Sequence, residues 1–404
     1  MKSSKSSLCL IAVFVVSVSI CMLSFLKNNA WYVKVGDYSI TRPQYDMWER
    51  IIIYDTLDEY ADTDLKIKPD NEMADGYTWD EYFKSKTDME IFTSLSVLNE
   101  IGGIPDGDNG YLDAVEDAAS ASGMDFLQYI RYMYSDSISD KKAKEVLKIR
   151  YATSSWLSEV SRGMVTEEDY ASYYNEHMED LDIVYAYVIS MENTEENRLY
   201  LEDISNDIKN TEQFIAAANE IQGNSGYTEY ITSSSCPDSF AGWLFSADNG
   251  DMNVSASRDG VYLVMKEHQE PYDAPSVNAC LIKFSGGSQE DNADAAQTFL
   301  SGYDKSDGSM QSFLSMIRDN TGGNGYVEGI VQSQVNAGME SWLFDSSRKH
   351  GDTTILADGD DMYVFFWDGY GMESWKAICL DEICSIKYED VSKKVRDCRV
   401  MLHR

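Results

Sequence analysis

The chain has 404 residues, too many for one ordinary core, and 43% of them are hydrophobic with only 6 prolines. That composition excludes a disordered chain and points to two to four domains. A net charge of −36 disfavours nucleic acid as a partner and suits a solvated exterior.

In chain order, Lys2 and Lys5 precede an uncharged apolar run from Leu8 to Leu26. A helix of about 20 such residues spans a bilayer, and the basic flank belongs on the cytoplasmic side. Cys21 follows Ile20 where a lipoprotein signal needs a small residue, and no small-x-small triplet closes the run. Residues 1–30 therefore read as an uncleaved anchor. The expectation is a single-pass protein of the cell membrane, with the lipid bilayer met through residues 8–26 and the bulk of the chain extracytoplasmic.

WYVKVGDYSITRPQYDMW then gives two short strands around a Gly36-Asp37 turn and a helix start. Thr41 and Gln44 form a capping box, Pro43 lies in the first turn, and Tyr45, Trp48 and Ile52 share one face. Thr78 and Glu81 cap a second helix whose Ile91, Leu95, Leu98 and Ile101 make a stripe stopped by Gly102-Gly103. Further helices are predicted near 111–122 and 140–162, and VTEEDYASYYNEH opens another, so residues 31–178 read as mostly helical. The string DGDNGYLD, Asp106 to Asp113, misplaces the glycine and lacks the final Glu of a calcium loop, and reads as a polar turn.

From Asp182 the pattern changes to short β-rich runs with helices between them. HQEPYDAPSVN, with Pro271 and Pro275, reads as a linker. On its two sides the chain repeats itself. GNSGYTEYITSSSCPDSFAGWLF (223–245) and GGNGYVEGIVQSQVNAGMESWLF (322–344) agree without a gap at nine positions, among them Gly226 with Gly325, Tyr227 with Tyr326 and Trp243 with Trp342. Upstream, YAYVISM (185–191) answers NACLIKF (278–284), and Phe214 answers Phe313. Downstream, VYLVMK (261–266) answers MYVFFW (362–367). Each copy reads strand, helices, glycine turn, Trp-Leu-Phe helix, glycine turn, strand, in about 90 residues.

Five cysteines follow the anchor: Cys236, Cys280, Cys379, Cys384 and Cys398. The odd count argues against a full disulfide framework, and Cys379 and Cys384 lack the second pair or nearby histidine of a zinc site. Cys384 and Cys398 read as parts of one helix, about 21 Å apart, too far for a bond. Free, packed thiols and no metal are expected.

The repeated unit resembles a parvulin-type peptidyl-prolyl isomerase domain, on GNSGY and GGNGY at the first turn, WLFSADNGD and WLFDSSRKHGD at the helix end, and DGVYLV and GDDMYVF at the last strand. With VKVGDYSITRPQYDMW and VTEEDYASYYNEH, the layout resembles the extracytoplasmic foldases PrsA and SurA. The resemblance implies an α+β multidomain fold with these parts: anchor 1–30, helical SurA-like chaperone domain 31–178, parvulin-like domains 179–272 and 273–368, and a C-terminal helix, 369–404, packing on the helical domain. Family catalysis rests on two histidines, in the first and last strands. The matching places hold Tyr187 and Tyr262 in the first copy, Cys280 and Tyr363 in the second. The histidines, His177, His268, His350 and His403, read as lying outside those strands, so both copies look degenerate at the catalytic centre.

On their own residue types, Tyr187, Tyr262 and Tyr363 read as ordinary strand residues and Cys280 as a small buried hydrophobe. Trp243, Phe245, Trp342 and Phe344 read as core. No P-loop, dinucleotide fingerprint, HExxH or Ser-His-Asp signature is present, and no cofactor is expected. The resulting expectation is a membrane-anchored chaperone or foldase that binds unfolded, secreted polypeptide clients. An active isomerase with a rewired site and a non-catalytic envelope scaffold are the alternatives.

Overall fold

The computed structural model describes residues 30–61, 68, 76–105, 110–233, 235–321, 325–396 and 400–402. The proposed anchor with Lys2, Lys5 and Leu8 to Leu26 lies outside the described residues, as do residues 106–109 of the polar string, Ser234, Gly322, Cys398 and His403. Among the described residues no helix is long and apolar enough to cross a membrane. The chain is mixed α+β and divides into two units, Met1–Met164 with Cys384–Arg404, and Val165–Ile383.

The first unit opens with strands β1 (Trp31–Val35) and β2 (Tyr38–Thr41), antiparallel around a turn in which Gly36 takes φ 56°. Asn99 pins that turn: its side-chain amide donates to Val35 O at 2.9 Å and its carbonyl accepts from the Asp37 N–H at 3.1 Å. Helices α1 (Arg42–Glu59), α2 (Trp79–Ile101), α3 (Gly110–Ala121), α4 (Phe126–Met133) and α5 (Asp140–Gly163) follow. Gln44 accepts the Thr41 N–H at 2.9 Å, and Glu81 the Thr78 N–H at 3.0 Å, so both helix starts have their first free donors satisfied. The core joins Trp48 and Ile52 of α1, Ile91, Leu95 and Leu98 of α2, and Val146 and Ile149 of α5. Burying each such side chain contributes about 1.5–3 kcal/mol. Arg150 on α5 reaches Glu90 on α2 at 2.7 Å and Asp55 on α1 at 3.1 Å, tying the three helices together.

The second unit begins with α6 (Glu167–Glu176) and the single turn α7 (Met178–Leu181), then holds two four-stranded antiparallel sheets of the same design. The first copy contains β3 (Asp182–Met191), α8 (Glu195–Asp207), α9 (Thr211–Gln222), β4 (Tyr227–Ile231), α10 (Ala241–Ser246), β5 (Met252–Ala256) and β6 (Val261–Pro271). The second contains β7 (Pro275–Phe284), α11 (Gln289–Tyr303), α12 (Met310–Thr321), β8 (Tyr326–Ile330), α13 (Ala337–Leu343), β9 (Thr353–Asp358) and β10 (Asp361–Glu373). Strand orders are β4-β3-β6-β5 and β8-β7-β10-β9.

Several repeated residues make the same bonds in both copies. Gly226 (φ 70°) accepts from Val188 N at 2.8 Å, and Gly325 (φ 63°) from Leu281 N at 2.8 Å. At the second glycine turn, Gly250 N donates to Lys266 O at 2.7 Å and Gly351 N to Trp367 O at 3.0 Å. Within each Trp-Leu-Phe triplet the central Leu244 and Leu343 are fully buried, whereas Trp243 and Trp342 are half-buried. The Arg348 guanidinium lies 5.1 Å over the Trp342 ring.

Three readings of the sequence change. The stretch taken as a linker is mostly strand: β6 runs to Pro271, β7 starts at Pro275, and Tyr272 between them is fully buried. Both prolines sit at ladder ends, Pro271 opposite Asp182 and Pro275 opposite Glu373, where a missing donor costs least. The C-terminal segment is not one helix. After β10, α14 (Ser374–Arg396) stops at Arg396, and β11 (Val400–Leu402) pairs antiparallel with β1, taking the edge that β2 leaves open. Val391 of α14 packs with Val97 and Leu157. His268, read as lying outside the strands, belongs to β6 and pairs with Tyr185, because that strand continues past Lys266.

Candidate functional site

Strand alternation decides which family positions can meet. Tyr187 pairs with Met265 and Ser190 with Tyr262, so Tyr262 lies three steps along β6 from the partner of Tyr187 and faces the other way. Tyr187 accordingly packs with Phe214 and Met265 under α8 and α9, while Tyr262 packs with Phe240 and Leu244 on the opposite face. The second copy repeats this. Cys280 pairs with Phe366 and packs with Phe313; Tyr363 lies with Leu281 and Phe365 on the other face. Neither Tyr187 with Tyr262 nor Cys280 with Tyr363 forms one reacting centre.

On the face carrying Tyr187 and Cys280, the sequence reading missed a pair of acids. In each last strand one extra residue bulges: Glu267, between Lys266 opposite Ala186 and His268 opposite Tyr185, and Asp368, between Trp367 opposite Ala279 and Gly369 opposite Asn278. A bulge re-aims the side chain of the extra residue. Tyr187 Oη reaches Glu267 Oε1 at 3.5 Å, and Tyr326 Oη donates to Asp368 Oδ2 at 2.8 Å. Burial first, and then Glu267, pushes the Tyr187 phenol up. Burial and then the Asp368 hydrogen bond and charge push Tyr326 up to about 12. The Cys280 thiol is pushed up to about 12 by burial and by Asp368, so it stays protonated and is no nucleophile. The sequence signal was the repeated Gly-Tyr, which placed Tyr227 and Tyr326 but not the acids.

Of the described histidines, His177 and His268 stack on tyrosines away from these acids, whereas His350 sits against Asp368. His177 stacks on Tyr173 with ring centres 4.0 Å apart, and His268 stacks on Tyr185 at 4.2 Å. His350 Nδ1 lies 3.0 Å from Asp368 Oδ1, with its ring edge-on to Phe366. Among the described residues no group of His, Cys, Asp and Glu could hold a metal ion.

The face carrying Tyr363 is open. A groove of about 480 Å³ is lined by Leu281, Val327, Ile330, Met339, Tyr363 and Phe365. Ala377 and Ile378 of α14 also line it. Gly329 permits this approach, since a Cβ there would lie 2.9 Å from Ala377 Cβ; the aligned position in the first copy is Tyr230. Exposed Glu328, Asp358 and Asp381 stand around the opening, and no Lys, Arg, His or Cys lines it. The groove can take apolar side chains of an extended polypeptide, and Tyr363 brings a phenol that can donate to a carbonyl. In the first unit a larger cleft, about 680 Å³, lies among α2, α5 and the end of α14. Charged Lys86, Glu90, Arg150, Glu389 and Lys393 line it beside exposed Met89 and Tyr111.

No protein-family model and no curated protein matches the sequence. Solved structures do. PrsA from Bacillus subtilis is 12% identical, with 70% of this chain and 99% of that chain covered and a TM-score of 0.19. Foldase protein PrsA from Lactococcus lactis is 11% identical, with 78% and 97% covered and a TM-score of 0.23. A SurA-like chaperone from Campylobacter jejuni is 14% identical, with 60% and 83% covered and a TM-score of 0.21. This chain is similar to each of the three over most of that protein's length.

Proposed function

We propose that this chain is an extracytoplasmic chaperone of the foldase type, which holds unfolded exported polypeptides and whose two repeats are weak or inactive as prolyl isomerases. The observation that carries the proposal is the groove at Tyr363: a slot with an apolar floor, polar and acidic residues around it, among them Gln334 and Asn336, and no imidazole or thiol on its walls. Rotation about a prolyl bond has a barrier of about 20 kcal/mol and needs no covalent step, only groups that favour the twisted amide over the planar one. With neither imidazole nor thiol on the walls, a single phenol binds both forms with little discrimination. The Leu8 to Leu26 run is proposed to anchor the chain in the cell membrane, leaving residues 28–404 outside.

The test measures two activities on the same full chain. It should slow aggregation of an unrelated unfolded protein at near-equimolar ratio, and leave cis-to-trans relaxation of a short proline peptide close to the uncatalysed rate. Strong acceleration of that relaxation, abolished by Tyr363→Phe, would make the rewired isomerase the better reading. Protease added to intact cells should remove nearly all of the ectodomain; a protected full-length chain overturns the anchor topology.

A further inference from the structure

The groove beside Tyr363 is selective by charge. We infer that it takes an apolar segment of extended polypeptide flanked by lysine or arginine, and disfavours the same segment flanked by acids. This deepens the proposed function and rests on its assignment of the groove as a client site.

The walls and the rim carry separate parts of the inference. Met339, Phe365 and Leu281 supply the apolar floor, and Gly329 lets Ala377 and Ile378 close it on one side, so an occupant loses water from its side chain on entry. Glu328 comes from β8, Asp358 from the end of β9 and Asp381 from α14, so the three exposed carboxylates stand on three separate elements. Lys283 lies 5.6 Å over the Tyr363 ring, hydrogen-bonds its phenol and pairs with Asp361 at 2.6 Å. The lining thus presents a basic flank with the exposed carboxylates of Asp358 and Asp381, with Glu328 beside them, and has no Lys or Arg among its residues to meet an acidic flank. Rim charges of this kind act on association and partner choice more than on total affinity.

Two dye-labelled octapeptides test this on the full chain: a central Leu-Pro flanked by lysines, and the same peptide flanked by glutamates. With each exposed pair contributing a few-fold at most, the lysine peptide should bind about tenfold tighter at low salt. That advantage should shrink towards unity at about 0.5 M salt. The triple variant Glu328→Lys, Asp358→Lys, Asp381→Lys should abolish or reverse the preference. A control with the same change in net charge, Asp203→Lys, Glu212→Lys, Glu220→Lys on exposed positions of α8 and α9, should keep it. Equal binding of the two peptides, a preference that survives the rim variant, or one lost equally in the control overturns the inference. Aggregation suppression separates this from the wider reading. If the chain suppresses aggregation but binds neither peptide, the charge-selective groove is wrong and the chaperone stands. If the rim-dependent preference is present without suppression, the groove stands and the chaperone falls.

Discussion

Tyr326 donates its phenolic proton to Asp368 at 2.8 Å, across the bulge that displaces Asp368 from the β10 ladder. The pair joins the strand that follows the first glycine turn of the second copy to that copy's last strand, on the face occupied by Cys280 and Phe366.

This pair makes stability depend on alkaline pH. Burial, then the hydrogen bond and charge of Asp368, raise the folded phenol from 10.0 to about 12. The unfolded chain therefore releases the proton first, and the contribution, complete below about pH 10, is lost as pH rises towards about 12. Tyr326→Phe should remove that part of the slope, and Asp368→Asn should flatten it by lowering the phenol's pKa. Denaturant midpoints measured between about pH 8 and pH 12 check this; identical slopes in all three proteins would remove Tyr326 as the source.

The repeated glycines should differ in cost according to what their missing Cβ would meet. At Gly226 the φ is +70° and a Cβ would lie 2.5 Å from Val188 O, a backbone atom bound into β3. At Gly325 it would meet the Ile317 side chain at 2.5 Å and Leu281 O at 3.0 Å. Gly223 has φ +76° with nothing within 4 Å. Gly223→Ala should cost only the left-handed strain, about 1–2 kcal/mol, and Gly226→Ala and Gly325→Ala distinctly more. Urea unfolding of the three variants gives the order; equal losses would count against the close approach at Val188.

Phe313 is fully buried, with the rings of Phe299, Tyr303 and Phe366 at 5.3, 5.1 and 5.5 Å. Phe313→Ala should destabilise the second repeat by about 3–5 kcal/mol. Its counterpart Phe214, packed with Tyr187 and Met265, should cost the same in the first. Unfolding followed by near-ultraviolet circular dichroism measures both. A loss under about 1 kcal/mol at Phe313 would mean the site collapses freely around the cavity.

Thiol reactivity should follow burial. Cys236, Cys280 and Cys379 are buried, and burial pushes their thiols up to about 11, 12 and 11, whereas Cys384 is half-buried. At neutral pH a thiol reagent should modify Cys384 well before those three, which react only after denaturant is added. Peptide mass spectrometry reads the order directly. Rapid labelling of native Cys280 would show that the Phe313–Phe366 core opens.

Features with a local cause were legible before any tertiary contact was known. The capping boxes at Thr41 and Thr78 and the Ile91-Leu95-Leu98 stripe follow from helical spacing within a few residues. The mixed α+β character followed from the change of period near Asp182. What residues faced was another matter. Side chains alternate along a strand, so the face of Tyr262 relative to Tyr187 depends on the pairing register, and one bulged residue shifts everything beyond it. Reading Tyr187, Tyr262, Cys280 and Tyr363 as matched pairs compared strands one at a time, and only the ladders put the members of each pair on opposite faces. The groove depends still more on distant chain. Gly329 and Ala377 are 48 residues apart in sequence, and nothing local to either records that one was left without a side chain so that a helix could lie against it. Local periodicity is set by the rotation per residue, which the sequence carries directly; facing, register and groove are set by which segments pair and pack, and that choice is made by the folded chain as a whole.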